Sequence, residues 1–360
     1  MKILQISYSL SSGGGERFGV DLCNRLAENP DNEVILLTCN DDRIPKNVHY
    51  LSDLSPKVRF INIHSSSGMH PKSFWGIYKI IKAEKPDIVH AHCNVMMLYL
   101  PALFIKHVKY VHTLHNLAYI CLKFKWNKFI NNWLYQHRIQ PITISNICQD
   151  SYIKLYGRED SICITNGREP LIPSGKKLGD VSFMEAGVPV FIHVARCTPQ
   201  KNQPRLFKAF DRLQKDGVKF HLMVLGSNYE KEWMLKYKNN PQIHIIGERH
   251  NVGDYMDLAD FFILSSDYEG LPLALLEAMS LGVTPISTPC GGVVDVIDNG
   301  RNGYLTKTFD DDEFYHTIKT AILERGKYNK DAIKSEYESN YSMKVCADKY
   351  YKVYKQLLNR

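Results

Sequence analysis

No stretch of this 360-residue chain reaches the roughly 18 apolar residues of a membrane-spanning helix; the best, Val95 to Ile105, has the length of a core helix. The opening Met1-Lys2-Ile3-Leu4-Gln5-Ile6 lacks the apolar length and cleavage site of a secretory leader and reads as a first strand. Cysteine pairing is missing too. The nine cysteines are odd in number and contain neither Cys-x-x-Cys nor zinc spacing, so reduced thiols in a cytoplasmic protein are expected. No low-complexity run interrupts an ordinary globular composition. Acids are scarce in one place: between Leu54 and Gln149, twelve Lys and Arg face two acids, Glu84 and Asp87. That stretch alone carries +10, against +7 for the whole chain. Such a basic face implies an anionic partner. With no nucleic-acid module beside it, a membrane surface or a phosphate-bearing acceptor is favoured over nucleic acid.

The length favours two domains. Short apolar runs alternate with helical periodicity, first at Lys2–Tyr8, Val34–Cys39, Val58–Ile63, Ile88–His92, Tyr110–His115 and Ile142–Ser145. The habit repeats at Val190–Ala195, Phe220–Leu225, Ile243–Ile246, Phe261–Leu264 and Thr284–Ser287. This predicts two α/β domains with parallel sheets, 1–170 and 171–341, joined by the turn-rich Glu169–Lys177. An amphipathic helix is expected over Met343 to Leu358. Ligands in such sheets bind beyond the carboxyl ends of the strands.

The most informative segment follows the strand Phe261–Leu264: Ser265-Ser266-Asp267-Tyr268-Glu269-Gly270-Leu271-Pro272-Leu273, continuing to Glu277. A helix is expected from Pro272, with Glu269 before its N-terminus and Glu277 two turns inside. If helical throughout, eight residues would separate the carboxylates by about 12 Å. A glycosidase acid/base pair needs roughly 5 to 9.5 Å. The wider gap suits one elongated ligand with an anion at the helix N-terminus between its ends; sugar–diphosphate–ribose is such a ligand.

Glu-x7-Glu within Glu-Gly-Leu-Pro and Leu-Leu-Glu-Ala resembles the group-1 (GT4-type) retaining glycosyltransferases of the GT-B fold, two Rossmann-like parallel-sheet domains facing across a cleft. The resemblance runs through nearly the whole chain. It implies that Glu269 approaches the donor sugar and Glu277 the ribose. The amides of Gly270, Leu271 and Leu273 would face sugar and phosphates. It also implies that the helix 342–360 crosses back to the first domain.

Arg196 and Lys201, five apart around a turn after Val190–Ala195, can converge on one diphosphate. The resemblance assigns them to the phosphates, where leaving-group charge develops; surface charges with a cap at Asn202 also fit. Relatives usually have Gly where Ala195 stands. Ser11-Ser12-Gly13-Gly14-Gly15-Glu16-Arg17 allows backbone amides close to an anion, and a plain turn fits equally. It is neither Gly-x-Gly-x-x-Gly nor a Walker sequence. It looks like the family's Gly-Gly-x-Glu-Arg loop, which would put Gly13 and Gly14 beneath the diphosphate or beside the acceptor. His115 ends a strand, as do His90 and His92; relatives often carry His at 115 near the reactive carbon, and a structural histidine is the alternative. Loops at Gly226 and Gly247 contact the base in relatives.

Asp310-Asp311-Asp312-Glu313 opens a helix and reads as capping acids rather than a metal site. Lys123, Lys125, Trp126, Lys128, Phe129, Ile130, Trp133 and Leu134 form a basic helix with an aromatic stripe. Such a stripe fits shallow insertion into an anionic bilayer, or packing on the protein's own sheet.

The reading is a cytoplasmic, metal-independent hexosyltransferase, with no cofactor beyond its UDP- or GDP-sugar co-substrate. Its acceptor would be a glycan, free or polyprenyl-diphosphate-linked, at the inner membrane face, as in surface polysaccharide assembly. An epimerase on the same fold and a non-catalytic sugar-nucleotide-binding or membrane-scaffold protein are the rivals.

Overall fold

The computed structural model describes residues 1–66, 70–122 and 124–359. The chain divides into two compact units, Met1–Glu169 with the C-terminal segment from Tyr341, and Pro170–Asn340.

The first unit is built on seven strands: β1 (Lys2–Ser7), β2 (Glu33–Asn40), β3 (Val58–Ser65), β4 (Ile88–Ala91), β5 (Lys109–Leu114), β6 (Ile139–Thr143) and β7 (Ile162–Cys163). They lie in the order β3-β2-β1-β4-β5-β6-β7, every pairing parallel. The second unit has β8 (Val190–Val194), β9 (His221–Leu225), β10 (Ile243–Gly247), β11 (Phe261–Leu264), β12 (Thr284–Ser287) and β13 (Tyr304–Leu305). Its order is β10-β9-β8-β11-β12-β13, again all parallel. Central strands read as unbroken apolar runs because helices cover both faces of a parallel sheet; Phe261, Phe262, Ile263 and Leu264 are all buried. In each sheet the order reverses once, between β1 and β4 and between β8 and β11. Such switch points are where loops at the strand ends part and leave a crevice for ligand.

The differences from the sequence reading lie at the edges. β6 begins at Ile139, upstream of Pro141. Its neighbour β7 pairs only with Ile142 and Thr143, so Pro141 sits where one flank is open and a missing N–H is tolerated. The two-residue strands β7 and β13 are too short to show periodicity. Gly247 is the last residue of β10, not the start of a loop.

In the first unit, the terminal helix Met343–Leu358 packs on the first helix, Gly14–Leu26. Tyr350 and Tyr354 are fully buried, and Tyr350 lies 5.9 Å from Phe18, ring to ring. Main-chain bonds from Arg168 to Tyr341 and from Met343 to Arg168 tie the segment in. Arg168 itself makes a buried ion pair with Asp21 at 2.6 Å.

Candidate functional site

In the second unit the loops after β8 and β11 are laced together at the switch point. The Asp267 amide donates to the Gln200 carbonyl at 2.9 Å, and Ser265 Oγ to the Lys201 carbonyl at 2.9 Å. Gln200 Nε2 donates to the Tyr268 carbonyl at 2.9 Å. Arg205 reaches the Ser265 carbonyl and Asp267 at 3.0 and 2.7 Å. Held this way, Glu269 is nearly buried and its carboxylate accepts from three side chains. Lys201 Nζ lies at 2.5 Å, Ser266 Oγ at 2.7 Å and Gln200 Nε2 at 3.3 Å.

Arg196, two residues beyond β8, is exposed and has no ion-pair partner among the described residues. Ala195 has an ordinary negative φ, so the glycine that relatives carry there is not required by the backbone. Asn202 does cap the following helix, in a left-handed conformation with its side chain accepting from the Arg205 amide. Gln203, fully buried, donates to the Arg196 carbonyl at 3.0 Å and fixes where the arginine leaves the chain. Beneath it, His193 donates from Nδ1 to the Ile263 carbonyl at 2.8 Å, and burial pushes its pKa down to about 4. It is a neutral structural histidine.

Two glycines permit this close lacing. A Cβ on Gly291 (φ +56°) would lie 1.8 Å from the Glu269 carbonyl oxygen. One on Gly226 (φ +132°) would lie 2.0 Å from the Ala195 carbonyl oxygen. Gly247, also at positive φ, has open space around it, and its carbonyl takes the Gly226 amide at 3.0 Å.

The helix after Glu269 runs from Leu273 to Ser280, with Pro272 as its N-cap. Glu269 therefore lies before the helix N-terminus, as expected, but Glu269 to Pro272 is loop and Glu277 is the fifth helical residue rather than two turns in. The estimate of about 12 Å does not describe this gap. Gly270, Leu271 and Leu273 are buried at the helix entrance. Among the described residues nothing takes the amide hydrogens of Gly270 and Leu273, donors of the kind a helix start leaves for an anion.

The first unit gathers a second set. Gly13 is the N-cap of the first helix, Gly14 its first residue. The Glu16 carboxylate folds back so that a Cβ on Gly13 would meet it at 2.2 Å. A Cβ on Gly15 would lie 3.6 Å from the His115 ring, bringing the glycine loop and His115 together. His115 follows β5 directly and is partly exposed, yet burial, then nearby His112, pushes its pKa down to about 3. Its Nε2 lies 3.0 Å from His92 Nδ1. From there a chain runs inward: His92 Nε2 to Gln5 Oε1 (2.7 Å), Gln5 Nε2 to the Tyr354 hydroxyl (3.1 Å), Tyr354 to His90 Nδ1 (2.6 Å), and His90 Nε2 to Thr113 Oγ1 (2.7 Å). Gln5 and Tyr354 were not singled out from the sequence. The available signal was a glutamine inside an otherwise apolar central strand.

The acids 310–313 cap and pair: Asp310 accepts the Glu313 amide, Asp311 meets Arg205 and Lys208, and Asp312 meets Arg212. The aromatic stripe faces outward. On the helix Asn127–His137, Asn127 and Asn131 are buried, at 1% and 3% exposure, while Phe129 stands at 80% and Trp133 at 48%. Trp126, Lys125 and Lys128 are also exposed. Leu134 is buried and leaves the stripe; Lys123 lies outside the described residues.

Comparison with known proteins follows the same division. A family model described as "Glycosyl transferases group 1" matches residues 180–339, and one described as "Glycosyltransferase Family 4" matches 12–170. An Escherichia coli UDP-Gal:alpha-D-GlcNAc-diphosphoundecaprenol alpha-1,3-galactosyltransferase is 27% identical over 275 residues, 69% of each chain. A Campylobacter jejuni N,N'-diacetylbacillosaminyl-diphospho-undecaprenol alpha-1,3-N-acetylgalactosaminyltransferase is 25% identical over 172 residues, 47% of this chain and 45% of that one. The crystal structure of Anabaena HepE in complex with UDP and glucose superposes with a TM-score of 0.77 at 18% identity, covering 99% of this chain and all of that one.

Proposed function

This chain belongs to the group 1 glycosyltransferases, with the GT-B fold, and from that premise we propose that it moves a hexosyl group from a UDP-sugar to a hydroxyl of a polyprenyl-diphosphate-linked glycan, with retention. The observation that carries the reading is the constellation at the β8/β11 switch point: Glu269 held by Lys201, with Arg196 exposed in the same loop after β8 and without an ion-pair partner among the described residues. A carboxylate fixed by three donors takes sugar hydroxyl hydrogens at little reorganisation cost. As the bond from sugar to diphosphate breaks, negative charge builds on the leaving phosphate, where Arg196 and Lys201 stabilise it. Those two cations supply the charge that a metal would otherwise bring, so the reading needs no metal. The Gly270 and Leu273 amides add donors at the helix entrance, and Glu277 takes the ribose. His115, neutral, positions the sugar rather than acting as an obligate base, while the leaving phosphate receives the acceptor's proton. Gly13 and Gly14 lie by the diphosphate or the acceptor.

UDP is favoured because the E. coli relative is named for UDP-Gal and HepE was crystallised with UDP. Both relatives are named for alpha-1,3 linkages and diphosphoundecaprenol acceptors. UDP-galactose holds its sugar in alpha linkage, so an alpha product means retention.

The acceptor's lipid calls for work at a membrane surface, here the cytoplasmic face. No helix among the described residues is long and apolar enough to cross a bilayer. The helix Asn127–His137 buries Asn127, Asn131, Leu134 and Tyr135 and leaves Phe129 and Trp133 in solvent, with Trp126 exposed just before it. Lysines among exposed rings fit shallow docking on anionic lipid.

The test is a panel of UDP- and GDP-sugars with a polyprenyl-diphosphate-linked acceptor, in chelator, with the product anomer read by NMR. One donor should be used, giving an alpha product. Absence of transfer with every donor, with no donor stabilising the fold, would sink the reading.

A further inference from the structure

The basic stretch of the first unit has a second exposed apolar point besides the aromatic stripe. The helix Tyr99–Phe104 lies alongside the helix Asn127–His137, with the Tyr99 hydroxyl donating to Asn131. Arg138, the C-cap of the longer helix, donates from Nε to the Ala102 carbonyl at 2.8 Å and from Nη2 to the Ile105 carbonyl at 3.1 Å. The buried Tyr110 hydroxyl lies 3.0 Å from the Pro101 carbonyl and 3.1 Å from the Ile105 carbonyl. A guanidinium and a phenol thus serve carbonyls that the end of a short helix leaves open. The turn they hold leaves Leu103 and Phe104 in solvent, at 44% and 66% exposure. Beside it, Lys106, Lys109, Gln136, His137, Arg138 and Gln140 line a hollow of about 230 Å³, with no carboxylate among the described residues that line it. Neither lysine has an ion-pair partner among the described residues, and no Asp or Glu occurs anywhere from Ile88 to Gln149. Arg138 Nη1 has no acceptor among the described residues, so donors remain for an anion. The His137 ring, 5.0 Å from that of Trp133, joins the hollow to the aromatic stripe.

We propose that the turn Ala102–Ile105 is a second membrane contact, in which Leu103 and Phe104 enter the bilayer and the hollow takes the phosphate of an anionic phospholipid headgroup between Lys106, Lys109 and Arg138. The proposal extends to another element the membrane docking proposed above for the aromatic stripe. Leu103 and Phe104 do not stand singly: through Arg138 and His137 they adjoin the stripe, and an apolar patch rimmed by lysine marks a contact surface. The charge around them selects the partner. A face with cations and no acids repels a second copy of itself and attracts anionic lipid. Lys109 opens β5 and His115 follows its last residue, so about 20 Å of strand separates the hollow from His115. At that distance the occupant is a lipid of the surrounding membrane rather than the acceptor being glycosylated. A single helix lying in an interface leaves the body free to roll about the helix axis. A second contact, off that axis, stops the roll and fixes which way the strand ends face.

The experiment uses the full-length protein and phosphatidylcholine vesicles with and without phosphatidylglycerol, read by sedimentation, in variants that keep the aromatic stripe. Leu103→Ser/Phe104→Ser is expected to weaken binding to the phosphatidylglycerol vesicles about tenfold, with the urea midpoint unchanged. Lys106→Gln/Lys109→Gln should weaken it about thirtyfold. Lys46→Gln/Lys57→Gln removes the same charge near β3, four strand spacings or about 19 Å from β5. That exceeds the screening length of about 8 Å, so binding should stay at the wild-type level. Occupancy of the hollow is read at fixed pH by NMR of 15N-histidine, with His137 assigned by its loss in His137→Gln. Short-chain phosphatidylglycerol below its micelle concentration should shift the His137 signals saturably, and phosphatidylcholine of the same chain length far less. A response to inorganic phosphate but not to the lipid, or equal shifts from the two lipids, overturns the headgroup site. Equal losses from the two lysine pairs would reduce the contact to overall charge and overturn it likewise. No sugar nucleotide or acceptor is present and the stripe is intact, so failure here is distinguishable from failure of the transferase reading or of the stripe.

Discussion

Lys201 Nζ lies 2.5 Å from Glu269 Oε1, joining the loop after β8 to the loop after β11. The pair is partly sheltered, so neither group is indifferent to loss of the other. Lys201→Ala leaves a nearly buried carboxylate with two neutral donors, and Glu269→Gln leaves an ammonium with no anion. We expect each single change to lower kcat by about 10²–10³, the scale of losing one preorganised charge partner. The double variant should be little worse than the poorer single one, because the two act as a unit. Kinetics of all three variants decide it: losses that multiply would mean that the two work independently, and retained activity would remove both from the site.

The buried histidines give each unit an acid limit. His112 in the first unit and His193 in the second are both pushed down to about 4, burial being the first cause. Each is neutral when folded and takes a proton near pH 6.5 when unfolded. The unfolded state therefore binds more protons below that pH, and stability falls as pH falls. The expected slope is about 1.4 kcal/mol per pH unit for each histidine between roughly pH 6.5 and 4. Urea midpoints at pH 7.5, 6, 5 and 4.5 should drop steadily. A flat profile across that range would mean that these rings are charged in the folded state.

Most of the fold was legible because a parallel sheet buries its strands on both faces, leaving apolar runs that stop where the chain turns. The residues that end those runs, Arg196, Lys201, Glu269 and His115, stand out for the same reason. Their partners do not. Gln200 and Ser266 are ordinary loop residues; Gln200 meets Glu269 because β8 and β11, distant in sequence, are adjacent at the switch point, and Ser266 meets it through a turn of the same loop. Tyr354 reads as one more apolar position in an amphipathic helix; its hydroxyl meets Gln5, at the other end of the chain. Periodicity also finds a helix face without saying which way it points. The stripe of Trp126, Phe129 and Trp133 was visible, and that it lies outward, over buried asparagines, was not.

The glycines separate strain from crowding. Gly291→Ala combines φ +56° with a Cβ 1.8 Å from the Glu269 carbonyl oxygen, so the main chain carrying Glu269 must move. We expect a stability loss of about 2 kcal/mol or more and loss of donor-induced thermal stabilisation. Gly247→Ala meets only the left-handed backbone, with nothing within 4 Å, and should cost about 1 kcal/mol with donor binding kept. Urea titration and thermal shift with the preferred UDP-sugar read both. Equal damage from the two substitutions would mean that crowding at Glu269 plays no part.

The outward aromatics should matter to a bilayer and not to the fold. Trp126, Phe129 and Trp133 are exposed, so replacing all three with Ser is expected to change stability by less than about 0.5 kcal/mol per site. Partial burial of three rings in the lipid interface at about 1 kcal/mol each amounts to a roughly hundredfold change in partitioning. Sedimentation with vesicles containing anionic phospholipid should show the wild type bound, and released by salt as lysine contacts are screened. The triple variant should remain largely in the supernatant. With lipid-linked acceptor in vesicles its KM should rise, while kcat on a short water-soluble acceptor should stay at the wild-type value. Vesicle binding that survives the triple substitution, or a loss of activity on the soluble acceptor, would remove this helix face as the membrane contact.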